Sequence, residues 1–140
     1  NMNYHFESVV ASDEQIRKLY DLLNQREHVI SHAGIPSFDK HSNFVKNHPY
    51  LHWFLVYDNF DCYGSFYIKK DNSIGLNLTV SNKEILMVCL NFIRENFSPQ
   101  AAQASMAPDF FYINVAYSNK KALAALQKLG LSPLQIGLRV

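Results

Sequence analysis

The sequence predicts an α/β (α+β) chain: a mixed, mostly antiparallel sheet with one parallel β-α-β pair and helices on both faces. Three observations predict it. The run Ile74 to Val80 alternates apolar Ile74, Leu76, Leu78 and Val80 with small or polar Gly75, Asn77 and Thr79, which is the period of a strand. Three other segments carry apolar residues at helical spacing. Turn-forming clusters, Asp58 to Asp61 and Lys70 to Ser73, separate strand-like runs closely enough for hairpins.

In chain order, Tyr4 to Val10 reads as a first strand. Ser12 opens a helix, with Gln15 at the capping-box position and Ile16, Leu19, Tyr20 and Leu23 as its buried stripe. Gly34 and Pro36 interrupt the chain, and a short helix is expected over Phe38 to Asn47 before Pro49. His52 to Tyr57 is apolar on both faces and reads as a central strand, followed by Cys62 to Lys69 as its hairpin partner. After Val80 a helix carries Ile85, Leu86, Cys89, Phe92, Ile93 and Phe97. Ser98 to Asp109 is expected to be a loop, and Phe110 to Val115 a strand. The last helix is expected over Asn119 to Leu129, with Ser118 as N-cap, Gly130 in the left-handed conformation and Leu131 packing back on Leu126. Pro133 to Val140 is expected to close the sheet as a final strand.

Residues 1–140 suit one domain with one core. A hydrophobic content of 48% with 18% charged residues is that of a folded chain rather than a disordered one. The formal net charge is +1 and like charges form no block, so neither nucleic acid nor an anionic membrane is an expected partner. No apolar run has the length of a membrane span. Asn1 precedes Met2, which points to Met2 as the natural start, and the N-terminus lacks the features of a signal peptide. A cytoplasmic location with free Cys62 and Cys89 is the expectation.

Six histidines raise the question of a metal, but His28 and His32 lack a third ligand at useful spacing and His48 and His52 straddle Pro49; no metal site is expected. Phosphate-loop, nucleophile-elbow and dinucleotide motifs are absent from the sequence. The β-α-β unit after the meander places the expected ligand site at the carboxyl ends of its parallel strands, at Leu78, Thr79 and Val80 and at Asn114, Val115 and Tyr117.

The element order and two stretches resemble the GNAT superfamily of acyl-CoA-dependent N-acyltransferases. "FYINVAYSNKKALAALQKLGL" is similar to that family's strand and following helix through Asn119, Ala122, Leu126, Lys128, Gly130 and Leu131. "HPYLHWFLVYDNFDCYGSFYI" with "SIGLNL" resembles members with a Tyr-x-x-Trp strand and an Ile-Gly-Ile strand, some of them linked to surface-polysaccharide sugars. The resemblance implies acetyl-CoA as co-substrate and a small-molecule amine, such as an amino sugar, as acceptor. It assigns the coenzyme to Leu78, Thr79, Val80, Asn82, Lys83 and Asn119, with the backbone of Asn77 to Thr79 pairing with the pantetheine arm.

The chain departs from the family where a glycine-rich loop would hold the pyrophosphate: the strand runs into the helix through Ser81, Asn82, Lys83 and Glu84. That corner reads either as a reduced phosphate site or as a capping box between Ser81 and Glu84. The family's carboxylate and tyrosine are also missing, since Ser73 and Leu126 stand near their places. Tyr117 and Tyr67 are the substitute acids and His41 and His52 the substitute bases. The expected function is therefore an N-acetyltransferase; the alternative is a GNAT-fold binding module without turnover. A strand edge near the C-terminus is consistent with a homodimer.

Overall fold

The computed structural model describes residues 3–26 and 34–140. The strands are β1 (Tyr4–Ser8), β2 (His52–Asp58), β3 (Asp61–Ile68), β4 (Ser73–Leu78) and β5 (Tyr112–Ile113). The helices are α1 (Asp13–Asn24), α2 (Phe38–Lys46), α3 (Lys83–Asn96) and α4 (Lys120–Lys128). The sheet order is β1-β2-β3-β4-β5, antiparallel as far as β4 and parallel between β4 and β5. The predicted mixed sheet with one parallel pair is thus the observed one.

Alternation along β2 sorts the core into two layers. Two residues of one parity, Trp53 and Leu55, pack with Ile16, Leu19 and Leu22 of α1 and Val45 of α2. Val56, with Phe66, Ile68 and Ile74, packs against Ile85, Leu86, Cys89 and Ile93 of α3 and Ala125 and Leu126 of α4. The helices therefore cover both faces. Phe6, Phe54, Phe66 and Phe92 knit the second layer, with Phe6 and Phe92 stacked at 4.1 Å.

The caps differ in detail from the sequence expectation. Ser12 Oγ accepts from the Gln15 amide as predicted, but the Gln15 side chain accepts from the Val10 amide and donates to Glu7 and the Ser8 carbonyl. It fastens β1 to α1 instead of closing a box. At α3 the cap is Asn82, whose Oδ1 accepts from the Ile85 amide at 3.0 Å, so the Ser81–Glu84 box does not form. At α4 the cap is Asn119, not Ser118, with Oδ1 accepting from the Ala122 amide at 3.2 Å. Gly130 is left-handed at φ +96, and the Leu131 amide donates to the Leu126 carbonyl at 3.1 Å, as expected of a helix ended by glycine.

Two strand expectations are corrected. The run Phe110 to Val115 pairs over Tyr112 and Ile113 alone, because β4 offers it only Ser73 and Ile74. Pro133 to Val140 forms no strand; its residues are exposed and make no ladder among the described residues. A period of two marks a segment able to pair, while the pairing itself depends on a free edge within reach. The His28–His32 pair lies outside the described residues. No helix is long and apolar enough to cross a membrane among the described residues.

Candidate ligand cleft between the diverging strands

The site arises where β4 and β5 part. β4 pairs with β3 along Ile74 to Leu78, but with β5 only at Ser73↔Tyr112 and Ile74↔Ile113. The base of the pair is fastened by the turn that precedes β4. Asp71 accepts from the Ser73 amide at 2.9 Å and from Ser73 Oγ at 2.6 Å, and its other oxygen accepts from the Tyr112 hydroxyl at 3.2 Å. Burial alone raises the Asp71 pKa, but the hydrogen bonds from Ser73 and Tyr112 outweigh it and hold the carboxyl below its ordinary value. Asn72, buried and at φ +70, donates to the Gln100 and Pro108 carbonyls and accepts from the Gln100 amide at 2.7 Å. Asn72 thereby holds the loop that delivers β5. Nothing in the sequence beyond a turn signal marked these residues.

Beyond Ile74 the strands diverge and enclose a cleft of about 770 Å³, within the range of small-molecule sites. Hydrogen-bond alternation shows what β4 presents to it. The Lys69 amide donates to Ser73 and the Thr79 amide to Tyr63, so the odd-numbered residues bond toward β3. The even-numbered ones face β5: the Tyr112 amide donates to the Asn72 carbonyl at 3.2 Å. Leu76 and Leu78 continue that row past the end of the β5 ladder, and their N–H and C=O groups point into the cleft. Of the predicted stretch Asn77 to Thr79, Leu78 is thus the one whose backbone faces the opening, joined by Leu76.

All six residues that the resemblance assigned to the coenzyme, Leu78, Thr79, Val80, Asn82, Lys83 and Asn119, line this one cleft. The N-termini of α3 and α4 both open onto it. Among the described residues, no acceptor is bonded to the Lys83 and Glu84 amides, while the Ile85 amide is taken by Asn82. The lining also holds four cationic side chains, Arg26, Lys83, Lys121 and Lys128, and no carboxylate among the described residues; Glu84 stays outside it. A chain of net charge +1 has therefore gathered positive charge at one opening. The sequence did not reveal this, because the four residues come from three separate helical regions and form no run.

The candidate acids and bases do not converge. Tyr67 lies on the opposite face of the sheet, stacked on Tyr50 at 3.9 Å. Its ring also lies so close over Gly75 that a Cβ there would come within 2.1 Å of Tyr67 Cζ. This sets the Tyr67 hydroxyl one residue past the last β4–β5 pair. Tyr117 is 75% exposed, with the Lys120 ammonium 3.4 Å above its ring centre. His41 is buried between α1 and α2, its Nε2 donating to the Ile16 carbonyl at 3.2 Å, and burial lowers its pKa. It does not line the cleft. His52 stacks on Phe97 at 4.0 Å on the α3 face, also with a pKa lowered by burial. Cys89 is buried and its thiol pushed up to about 12; Cys62 is also raised by burial.

Among solved structures, the fold is similar to the crystal structure of a possible acetyltransferase from Clostridium difficile 630. The match covers 100% of this chain and 97% of that one, with a TM-score of 0.59 and 13% sequence identity. No family model matches the sequence, and no curated protein matches it. The likeness is one of fold.

Proposed function

We propose that the β4–β5 cleft binds acetyl-CoA and that the protein is an N-acetyltransferase of GNAT type acting on a small amine. The observation that carries this reading is a strand edge left open beside two helix N-termini, in a lining with four cations and no carboxylate among the described residues. An extended arm bearing amides and ending in phosphates complements those features: amides pair with an unpaired strand edge, and phosphates with helix amides and lysines. The neighbouring fold of a possible acetyltransferase and the sequence resemblance support the same reading.

In this reading Leu76 and Leu78 hold the pantetheine arm through their backbones, and Asn119 orients it with its side-chain amide, whose oxygen already caps α4. Lys83 and the free amides of α3 receive the pyrophosphate, with Lys121 and Lys128 toward the outer phosphate. The coenzyme supplies an acetyl thioester, an electrophile that needs only a neutral amine and a proton for the departing sulfur. Tyr67 lies outside the cleft lining on the α1–α2 face, but its ring sits over Gly75 beside the point of divergence, and this reading assigns it as the proton donor for that sulfur.

Calorimetric titration tests the binding step. Acetyl-CoA is expected to bind in the micromolar range, and dephospho-coenzyme A more weakly; no heat at millimolar ligand contradicts the reading. A second reading, a binding module without turnover, is favoured because none of Tyr67, Tyr117 and His41 lines the cleft. Release of coenzyme thiol in the presence of a panel of small amines, amino sugars included, separates the two. Thiol release abolished by Tyr67→Phe supports the enzyme, and binding without release from any amine supports the module.

A further inference from the structure

The cleft passes through the sheet. Its lining takes Leu22 from the layer under α1, and Leu86, Ala125 and Leu126 from the layer under α3 and α4. The gap where β4 and β5 part therefore opens on both faces. The four cations of the lining divide between the two mouths. Lys83, Lys121 and Lys128 belong to α3 and α4, while Arg26 stands with Gln25 where α1 ends.

Arg26 is thus the charge left over once the lysines and helix amides have received the phosphates. Its backbone is fixed, because the Gln25 and Arg26 amides donate to the Leu22 and Leu23 carbonyls, each at 3.2 Å. Its side chain is exposed. On the same face Tyr50 and Tyr67 lie ring on ring at 3.9 Å, and Gly75 leaves room for the Tyr67 hydroxyl against β4. The Tyr50 phenol registers the guanidinium: burial and Tyr67 raise its pKa, and the positive charge of Arg26 pulls it back. The α1 mouth therefore holds a guanidinium and a side-chain amide beside two phenols.

The amine has to be neutral to attack the thioester. A lining with four cations and no carboxylate among the described residues disfavours an ammonium and offers it no counter-charge. The acceptor is therefore gripped by some other group. A guanidinium presents a planar fork of donors that fits carboxylate or phosphate oxygens in pairs.

We propose that Arg26 selects the acceptor: the amine carries an anionic group, a carboxylate or a phosphate, which pairs with the guanidinium at the α1 mouth while the nitrogen reaches into the gap. This rests on the reading of the cleft as an acetyl-CoA site. The nitrogen forms its bond to the acetyl carbon, the carbon–sulfur bond breaks, and the proton lost by the amine is matched by one gained at the sulfur. Polyamines, which carry a second positive charge, are disfavoured by the same lining.

Release of coenzyme thiol from matched acceptors tests this at saturating acetyl-CoA. One set compares α-amino acids with their carboxamides, and the other an amino sugar with its phosphate ester, so the two sets separate carboxylate from phosphate. In at least one set the anionic member is expected to have a kcat/KM higher by about tenfold or more, carried by KM. Arg26→Gln is expected to bring that ratio close to one, and Arg26→Lys to keep part of it. Equal turnover within both sets, a preference for the uncharged members, or a ratio unchanged in Arg26→Gln overturns the proposal. An Arg26→Gln chain that loses acetyl-CoA affinity as far as it loses acceptor affinity assigns the guanidinium to the coenzyme and overturns it as well. Acetyl-CoA binding without release from any acceptor overturns this inference and leaves the coenzyme site standing, whereas no heat from acetyl-CoA itself overturns both. The wild-type comparison decides the matter if the variants fail to fold.

Discussion

At its base the β4–β5 pair is fastened by Asp71, Asn72 and Ser73; at its mouth the same two segments pair with nothing between them. The base is buried and hydrogen-bonded, with polar side chains that bond inward to the chain itself. The mouth is half-exposed, and its polar groups are aimed outward: the Leu76 and Leu78 backbones, the first amides of α3, and the lysines. The difference teaches that the opening is held open. A sheet edge that merely frayed would lack a rigid clamp at one end and a one-signed charge lining at the other.

The comparison breaks most sharply at the clamp. Asn72→Ala removes three hydrogen bonds made by a buried side chain, leaves the Gln100 and Pro108 backbone groups without that partner, and places alanine at a positive φ; a loss of about 3 kcal/mol in chemical denaturation is expected. Asp71→Asn is expected to cost about 2 kcal/mol, because it weakens charge-assisted bonds from Ser73 and Tyr112. At the mouth the order reverses. Lys83→Met is expected to leave the denaturation midpoint unchanged and to weaken acetyl-CoA binding by about tenfold, measured by calorimetry. A Lys83→Met variant that unfolds early, or an Asn72→Ala variant as stable as wild type, removes the distinction between the two ends.

Acid separates the layers by pH. His41, His48 and His52 have pKa values lowered by burial, so the unfolded chain binds protons that the folded chain refuses. Their stability is complete above the ordinary imidazole value of 6.5 and is lost as pH falls below it. Asp71 is depressed too, so its contribution is present above the ordinary carboxyl value of 3.8 and disappears as pH falls through its lower folded value. Denaturation at a series of pH values is expected to show the histidine loss first and the Asp71 loss second, with the second diminished in Asp71→Asn. The smallest expected effect is at Cys89, whose buried thiol at about 12 is expected to resist thiol reagents until the chain unfolds.

The strands as far as β4 and all four helices were legible because their apolar residues recur at one period and end at turn or cap residues. Ser12, Gly130 and the apolar face of α3 were readable from such local rules. The caps at Asn82 and Asn119 were displaced by one residue from the sequence reading, since Ser81 and Ser118 satisfy the same local chemistry and only the incoming chain direction chooses between them. β5 was overextended and the last strand misread because alternation gives no information about which edge is within reach. The clamp at Asn72 and the convergence of Arg26, Lys83, Lys121 and Lys128 were invisible for a common reason: each joins residues distant in sequence.

The open edge of β4 is the feature on which the functional reading rests, and amide hydrogen exchange at Leu76 and Leu78 measures it directly, with and without acetyl-CoA. The account predicts fast exchange at both amides in the free chain and marked slowing when acetyl-CoA is bound, with the Gly75 and Asn77 amides, already bonded to β3, slow throughout. Slow exchange at Leu76 and Leu78 in the free chain, or rates that acetyl-CoA leaves unchanged, contradicts it.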